Sequence, residues 1–426
     1  MRDIWLVAWV ALGLGFTVRF PFVGLLLWEW LSLMAPHMQA YGFSRTLPLN
    51  FIVAIVTILS WLFSKEPKRL PTHPIIVLSA LLLVWMTFNS FFAFDPSWSW
   101  QYWDLTWKIY LFGFLISVLA TNRVRIEAIV WVAVISLSYF GIKGGVFTLM
   151  VGGVHRVYGP ESTIIGDNNQ LALALVMTVP LIGYLQSSIT NKRLWLFLNS
   201  SIVIIAISII GSYSRGAYIA TAAIALLALL RSRRKFALLT ILLVAAAAAY
   251  YFMPSQIVDR MSTMQSVNTD GSFQGRVMAW HVAFKYATDH FPFGAGFYGP
   301  QLPGIFQYYY PNESPHAAHS IFFQVLGEHG FIGLGLYLIV LLISFMQCRK
   351  LAKTKQVDET VWIQRLSGMM LISLFAFAVG GAALSMAYYD LYIIQICLLP
   401  QLVRLSQPAK IERYKVRPPA LQAAGA

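Results

Sequence analysis

Apolar residues gather into runs near 48–63, 74–93, 103–120, 127–150, 167–189, 194–211, 213–230, 235–252, 319–347, 361–380 and 388–404. These runs lie around the ~20 residues an α-helix needs to cross the hydrocarbon layer. A backbone that spans lipid must satisfy its own polar groups, so such runs are helices. The pattern predicts an all-α polytopic membrane protein. Residues 1–36 hold two shorter runs split by Arg19-Phe20-Pro21, which predicts two part-spans or a kinked hairpin. Basic residues fall between the runs: Lys65, Lys68 and Arg69; Arg123 and Arg125; Lys192 and Arg193; Arg231, Arg233, Arg234 and Lys235; Arg349, Lys350, Lys353 and Lys355; and the tail from Arg404 to Arg417. Short basic loops stay cytoplasmic, and placing every block on that side lets the eleven runs alternate without conflict. With Arg2 also inside, parity requires 1–36 to cross once. About twelve transmembrane helices and a cytoplasmic C-terminus follow.

The same alternation divides the chain into N-terminal transmembrane helices over 1–252, a long outer loop over 253–318, C-terminal transmembrane helices over 319–404 and a basic cytoplasmic tail over 405–426. The long loop has room for short helices. One helix-like run covers 276–286, followed by the turn-rich segment 291–300 and the aromatic patch of Tyr308, Tyr309 and Tyr310.

Composition sharpens the class. Hydrophobic residues make up 58% of the chain and charged residues 11%, against roughly 25% charged in a soluble domain. Soluble, disordered and collagen-like classes are excluded. The net charge of +14 sits in the loop blocks, as topology signals that also meet anionic lipid, and does not point to nucleic acid. Cys348 and Cys397 fall in or beside apolar runs, as packing residues and not as a disulfide framework or zinc site.

Positive charge on the outer side breaks this pattern, so each such residue asks for its own reason. The residues are Lys108, Lys143, Arg156, Arg215, Arg260, Arg276 and Lys285. Arg215 lies in Gly211-Ser212-Tyr213-Ser214-Arg215-Gly216, the turn that joins two apolar runs. A guanidinium at a helix start, beside glycines that allow close approach, suits a phosphate oxygen; the same side chain could snorkel to lipid headgroups. Arg276 opens the loop helix. A cation there is disfavoured by the helix dipole, which favours an anion beside it, although an ordinary surface charge reads the same way.

His316 and His319 share one helical face at i, i+3. Glu313 is a poor third ligand, so a metal site is unsupported. One histidine acting as a general base near neutral pH is the stronger chemistry, against a histidine simply satisfied at the interface. The outer carboxylates, among them Asp95, Asp104, Glu161, Asp167, Asp289 and Asp390, form no Asp-x-Asp pair, so a diphosphate would be met by arginine and lysine. No Walker A motif, dinucleotide fingerprint or serine elbow occurs. The reading predicts neither metal nor cofactor.

Ser212-Tyr213-Ser214-Arg215-Gly216, Gly275-Arg276-x-x-x-Trp280, Pro292-Phe293-Gly294-Ala295-Gly296-Phe297, His319-Ser320 and Gly327-Glu328-His329-Gly330-x-x-Gly333 together resemble the O-antigen ligase family, the WaaL type. Its superfamily also holds O-antigen polymerases and protein O-oligosaccharyltransferases. The resemblance runs from about Gly166 to Gly333. The opening, with Arg19-Phe20-Pro21-Phe22-Val23-Gly24 and Trp28-x-Trp30-Leu31-Ser32-Leu33-Met34-x-Pro36-His37, is similar to O-glycosylation ligases of exosortase systems.

The resemblance implies a GT-C-like helical glycosyltransferase at the periplasmic face of a bacterial inner membrane. It would transfer a glycan from undecaprenyl diphosphate to a lipid A–core sugar hydroxyl, without nucleotide sugar or metal. Arg215, Arg276 and His319 match the family's two arginines and histidine, whereas Ser320 stands where many relatives carry asparagine. On this reading His319 is the general base, and Arg215 and Arg276 stabilise the diphosphate. Arg156, Lys108, Lys143, Tyr213 and His316 complete the substrate-binding set. A single displacement would invert the anomeric centre. Tyr308, Tyr309 and Tyr310 could stack on sugars or belong to an interfacial belt. Three other readings stay open: a protein O-oligosaccharyltransferase, a polymerase, and a lipid-linked glycan transporter.

Overall fold

The structure, a computed structural model, describes residues 1–231, 236, 240, 271–354 and 358–407. The expected span at 235–252, the loop residues 253–270 with Asp259, Arg260 and Asp270, the basic residues 232–235 with Lys355, and the tail from 408 lie outside the described residues. Every described element is helical or irregular, with no strand among the described residues. In chain order the helices are α1 (Arg2–Arg19), α2 (Pro21–Met34), α3 (Leu49–Phe63), α4 (Pro74–Phe91), α5 (Pro96–Leu119), α6 (Arg123–Met150), α7 (Asn168–Ser188), α8 (Lys192–Gly211) and α9 (Arg215–Arg231). They continue with α10 (Gly271–Asp289), α11 (Pro303–Tyr309), α12 (Ile321–Lys353), α13 (Val361–Gly381) and α14 (Asp390–Ser406).

Helix starts follow local chemistry. Asp95, Asn122, Asp167 and Asn191 each accept a backbone N–H of the first turn, which satisfies a donor the helix itself leaves orphaned. Pro21, Pro74 and Pro96 occupy the opening turns, where a missing N–H costs nothing. Among the described residues six helices, α4, α6, α7, α8, α12 and α13, are long and apolar enough to cross a membrane, and α2, α3 and 215–229 are shorter apolar helices. The chain is an all-α, multi-pass membrane protein. Against the expected twelve or so, α1, α5 and α14 are not among these: α1 carries Arg2, Asp3 and Arg19, α5 carries Asp104 and Lys108, and α14 is only 17 residues long.

The bundle has two unlike ends. At one, Arg125 pairs with Glu66, Arg404 reaches the Thr121 carbonyl, Arg365 reaches the Ser187 carbonyl and Tyr184 donates to Glu127. This is the basic end. At the other, Asn168 bonds the Ser212 carbonyl, Ser32 bonds Asp390 and Gln170 reaches the Ser385 carbonyl. This end holds the cavity described below.

Residues 1–36 require a correction. The Asp3 carboxylate accepts from the Ser44 N–H at 3.0 Å and from its hydroxyl at 2.7 Å, so the start of α1 lies at the cavity end beside the start of α3. Ser60 bonds the Val18 carbonyl, which puts Arg19 at the basic end. Then α2 runs back to Ser32 at the cavity end. The stretch therefore traverses the bundle twice, and Arg2 is not on the basic side. The Asp3 carboxylate, not the Arg2 charge, fixes this end.

The loop helix α10 docks on α12, and α11 packs against α10. Gly330 adopts φ +68° within that helix, a left-handed value that glycine takes at little cost. The kink opens carbonyls that the 292–297 segment satisfies: Ala295 N–H donates to Gly327 O at 2.8 Å and Gly296 N–H to Glu328 O at 3.0 Å. Asn89 of α4 clamps both partners, donating to Glu328 O and accepting from Gly294 N–H. Two of the glycine-rich motifs are thus partners in one architectural joint.

Candidate active site

The turn between α8 and α9 is built by its serines. The Ser212 hydroxyl donates to the Ile209 carbonyl at 2.6 Å and accepts from Ser214 N–H; the Ser214 hydroxyl caps α9 by accepting from Ala217 N–H at 3.3 Å. Tyr213, between them, takes φ +60°, an uncommon value for a non-glycine residue. Its hydroxyl bonds the Gly153 carbonyl, and Val157 N–H bonds the Gly211 carbonyl at 3.0 Å. The 151–167 loop is therefore tied onto this turn and carries Arg156 with it. Burial raises the Tyr213 phenol, while nearby Arg156 acts in the opposite direction.

A cavity of about 290 Å³ opens here, lined by Arg156, Asn168, Asn169, Tyr213, Ser214 and Arg215, by Arg276 of α10, and by Gly380, Ala383 and Leu384 at the end of α13. Three arginines from three distant segments converge on it. Arg215 is the first residue of α9, and Arg276 lies within α10, five residues after Gly271. Converging guanidinium groups favour an anion.

The histidine segment is set against α10. His316 packs over Gly275, where an added Cβ would lie 2.9 Å from the ring. Trp280 donates its Nε1–H to the Ala318 carbonyl at 2.6 Å and stacks on Phe323, with ring centroids 5.1 Å apart. Gly275, Arg276 and Trp280 thus act as one unit: a seat, a charge and a clamp. His319 follows in a left-handed conformation, φ +42°, the kind of backbone outlier that clusters at functional sites. Burial lowers its basicity first; Arg276 and His316 lower it further, while Asp167 raises it. His319 is held below the ordinary basicity of an imidazole, within Coulombic reach of Arg276 and Asp167.

The candidates separate into two groups. Arg156, Tyr213, Arg215 and Arg276 line one cavity, and His316 and His319 adjoin it through α10. Lys108 and Lys143 lie apart from that lining. Lys108 is paired with Asp104 one turn away on α5 at 2.5 Å, and Lys143 is exposed on α6. Among the described residues no group of three His, Cys, Asp or Glu side chains gathers to hold a metal ion. Asn168 and Asn169 were not singled out from sequence, although the polar cluster Asp167-Asn168-Asn169-Gln170 at the head of an apolar run is a visible signal. Gly380, Ala383 and Leu384 gave none.

Among known families, residues 1–190 match a family of unknown function (DUF5935). Residues 200–338 match the family described as O-Antigen ligase. That second segment holds Arg215, Arg276, His319 and the kinked joint at Gly330. No curated protein matches the chain.

Proposed function

We propose, from the premise that this chain belongs to the O-antigen ligase family through residues 200–338, that it moves a glycan from undecaprenyl diphosphate to a lipid A–core sugar hydroxyl. The basic end faces the cytoplasm, because short basic loops are retained there. The cavity end then faces the periplasm of the inner membrane. The observation that carries the reading is the convergence of Arg156, Arg215 and Arg276 on one cavity beside His319.

The acceptor hydroxyl oxygen attacks the anomeric carbon, and the bond from that carbon to the diphosphate oxygen breaks. His319 takes the hydroxyl proton, for which a neutral imidazole is required. Negative charge grows on the departing undecaprenyl diphosphate. Preorganised arginines stabilise that charge more in the transition state than in the ground state. One displacement inverts the anomeric configuration. Asn168 and Asn169 are placed to orient the donor in the cavity.

The test uses purified full-length protein, undecaprenyl-diphosphate-linked glycan and lipid A–core in detergent with EDTA, followed by gel shift of the acceptor. Wild type transfers, whereas His319→Ala loses transfer and keeps donor binding. Loss of donor binding as well would make His319 a phosphate ligand. Transfer only to a peptide hydroxyl or to a second glycan would make the protein a member of a sister activity. Donor binding with no transfer to any acceptor would favour transport.

A further inference from the structure

A second feature of the cavity end plays no part in that chemistry. Trp98 and Tyr102, in the first turns of α5, stack with Tyr298 from the loop after α10. Centroid distances are 5.2 Å for Trp98–Tyr298, 5.3 Å for Tyr102–Tyr298 and 6.3 Å for Trp98–Tyr102. The Tyr102 and Tyr298 planes differ by only 3°.

Tyr298 is firmly held. Its φ of +64° is left-handed, and its N–H donates at 3.2 Å to Glu328 Oε1, a side chain of a residue only 4% exposed. The other oxygen of Glu328 accepts from the Tyr388 hydroxyl at 2.7 Å, and Phe297 N–H donates to Ser99 Oγ at 3.2 Å. Trp98 nevertheless remains 40% exposed. A rigid, partly open ring stack assembled from residues 200 positions apart is more than a belt residue requires.

The stack and the arginines lie at the same end of the bundle: Leu384 lines the cavity, and Tyr388, four residues on, bonds the carboxylate that holds Tyr298. A pyranose presents a face of C–H groups, and the face of an aromatic ring is the negative side of its quadrupole.

We propose that Trp98, Tyr102 and Tyr298 form a carbohydrate subsite that stacks a pyranose ring at the same end of the bundle as the arginine cavity. This rests on the glycan-transfer reading above. The ring belongs either to the donor glycan or to the acceptor core, and the test separates them. Purified full-length protein is assayed with each substrate varied in turn, for wild type, Trp98→Ala, Trp98→Phe, Tyr298→Ala and Trp5→Ala. Trp5 is an exposed ring at the same end, 74% open, with no ring stacked on it among the described residues. Saturation-transfer NMR with free donor oligosaccharide and with deacylated core runs in parallel.

Trp98→Ala and Tyr298→Ala raise KM for one glycan on the order of tenfold, with kcat nearly kept and the NMR signal of that glycan lost. Trp98→Phe retains most of the binding. A donor effect assigns the subsite to the donor glycan, an acceptor effect to the core. Unchanged KM values for both glycans in an active enzyme overturn the subsite, as does an equal effect of Trp5→Ala. If wild type transfers to nothing, the function reading fails, and the NMR arm alone decides the subsite by whether Trp98→Ala abolishes oligosaccharide binding.

Discussion

Arginine is placed at both ends of this bundle and is put to different use at each. At the basic end, Arg125 forms a two-point pair with Glu66 at 2.9 and 2.6 Å and lies 5.0 Å over the Phe22 ring. Arg123 bonds Glu127 at 2.9 Å and lies 5.7 Å over Trp362. These charges tie loops to helices within the chain. At the cavity end, Arg156, Arg215 and Arg276 converge on a cavity at the start of α9. The contrast teaches that the residue type does not decide the role; what decides it is where the fold places the guanidinium, on a helix-to-loop tie at one end and on a cavity wall at the other.

The strongest way to break this contrast is to make the same substitution at each end. Arg276→Ala lowers kcat of glycan transfer by about 10²–10³-fold, as removal of a donor to developing charge does. Arg125→Ala leaves transfer per folded molecule within about twofold while lowering unfolding free energy by roughly 2 kcal/mol. Denaturant melts and single-substrate kinetics on both variants check it. Equal losses of transfer would erase the distinction between the ends.

A smaller effect sharpens the cavity side. Trp280→Phe keeps the ring on Phe323 but removes the 2.6 Å bond to Ala318 O that fixes the histidine segment. Transfer falls roughly three- to tenfold, with donor KM little changed. No loss would mean that the segment is held without its clamp.

The smallest effect concerns pH. Burial and Arg276 hold His319 below its ordinary basicity, and Asp167 opposes them. The base form is then already present at neutral pH, and transfer rises with pH through the acidic range. Asp167→Asn removes a charge that favours imidazolium, so His319 gives up its proton more easily. The rising limb of the kcat–pH profile moves to lower pH. Asparagine preserves the helix cap. A shift in the other direction would show that Asp167 does not act on His319.

Much of the fold was legible in the chain because hydrophobic length and capping chemistry are local. The runs at 361–380 and 194–211 became Val361–Gly381 and Lys192–Gly211, and the break at Arg19-Phe20-Pro21 became the junction of α1 and α2. The course of residues 1–36 was not legible, because it hangs on Asp3 meeting Ser44 forty-one positions away. In the site, Arg215 and Arg276 stood out as outer-side charges beside glycines, and both line the cavity. Lys108 stood out for the same reason, yet Asp104 one helical turn earlier claims it.

By itself, then, the sequence determined that this is a helical bundle built for lipid, where several of its helices begin, and which charges call for explanation. Those follow from segment hydrophobicity and from neighbours within a turn or two. The tertiary structure alone decided which arginines share a cavity, that Gly380, Ala383 and Leu384 wall it, and that Trp280 and Gly275 seat the histidines. It also decided that Tyr298 joins Trp98 and Tyr102. Each of these depends on contacts between segments far apart in the chain, and no local periodicity encodes which pair will meet.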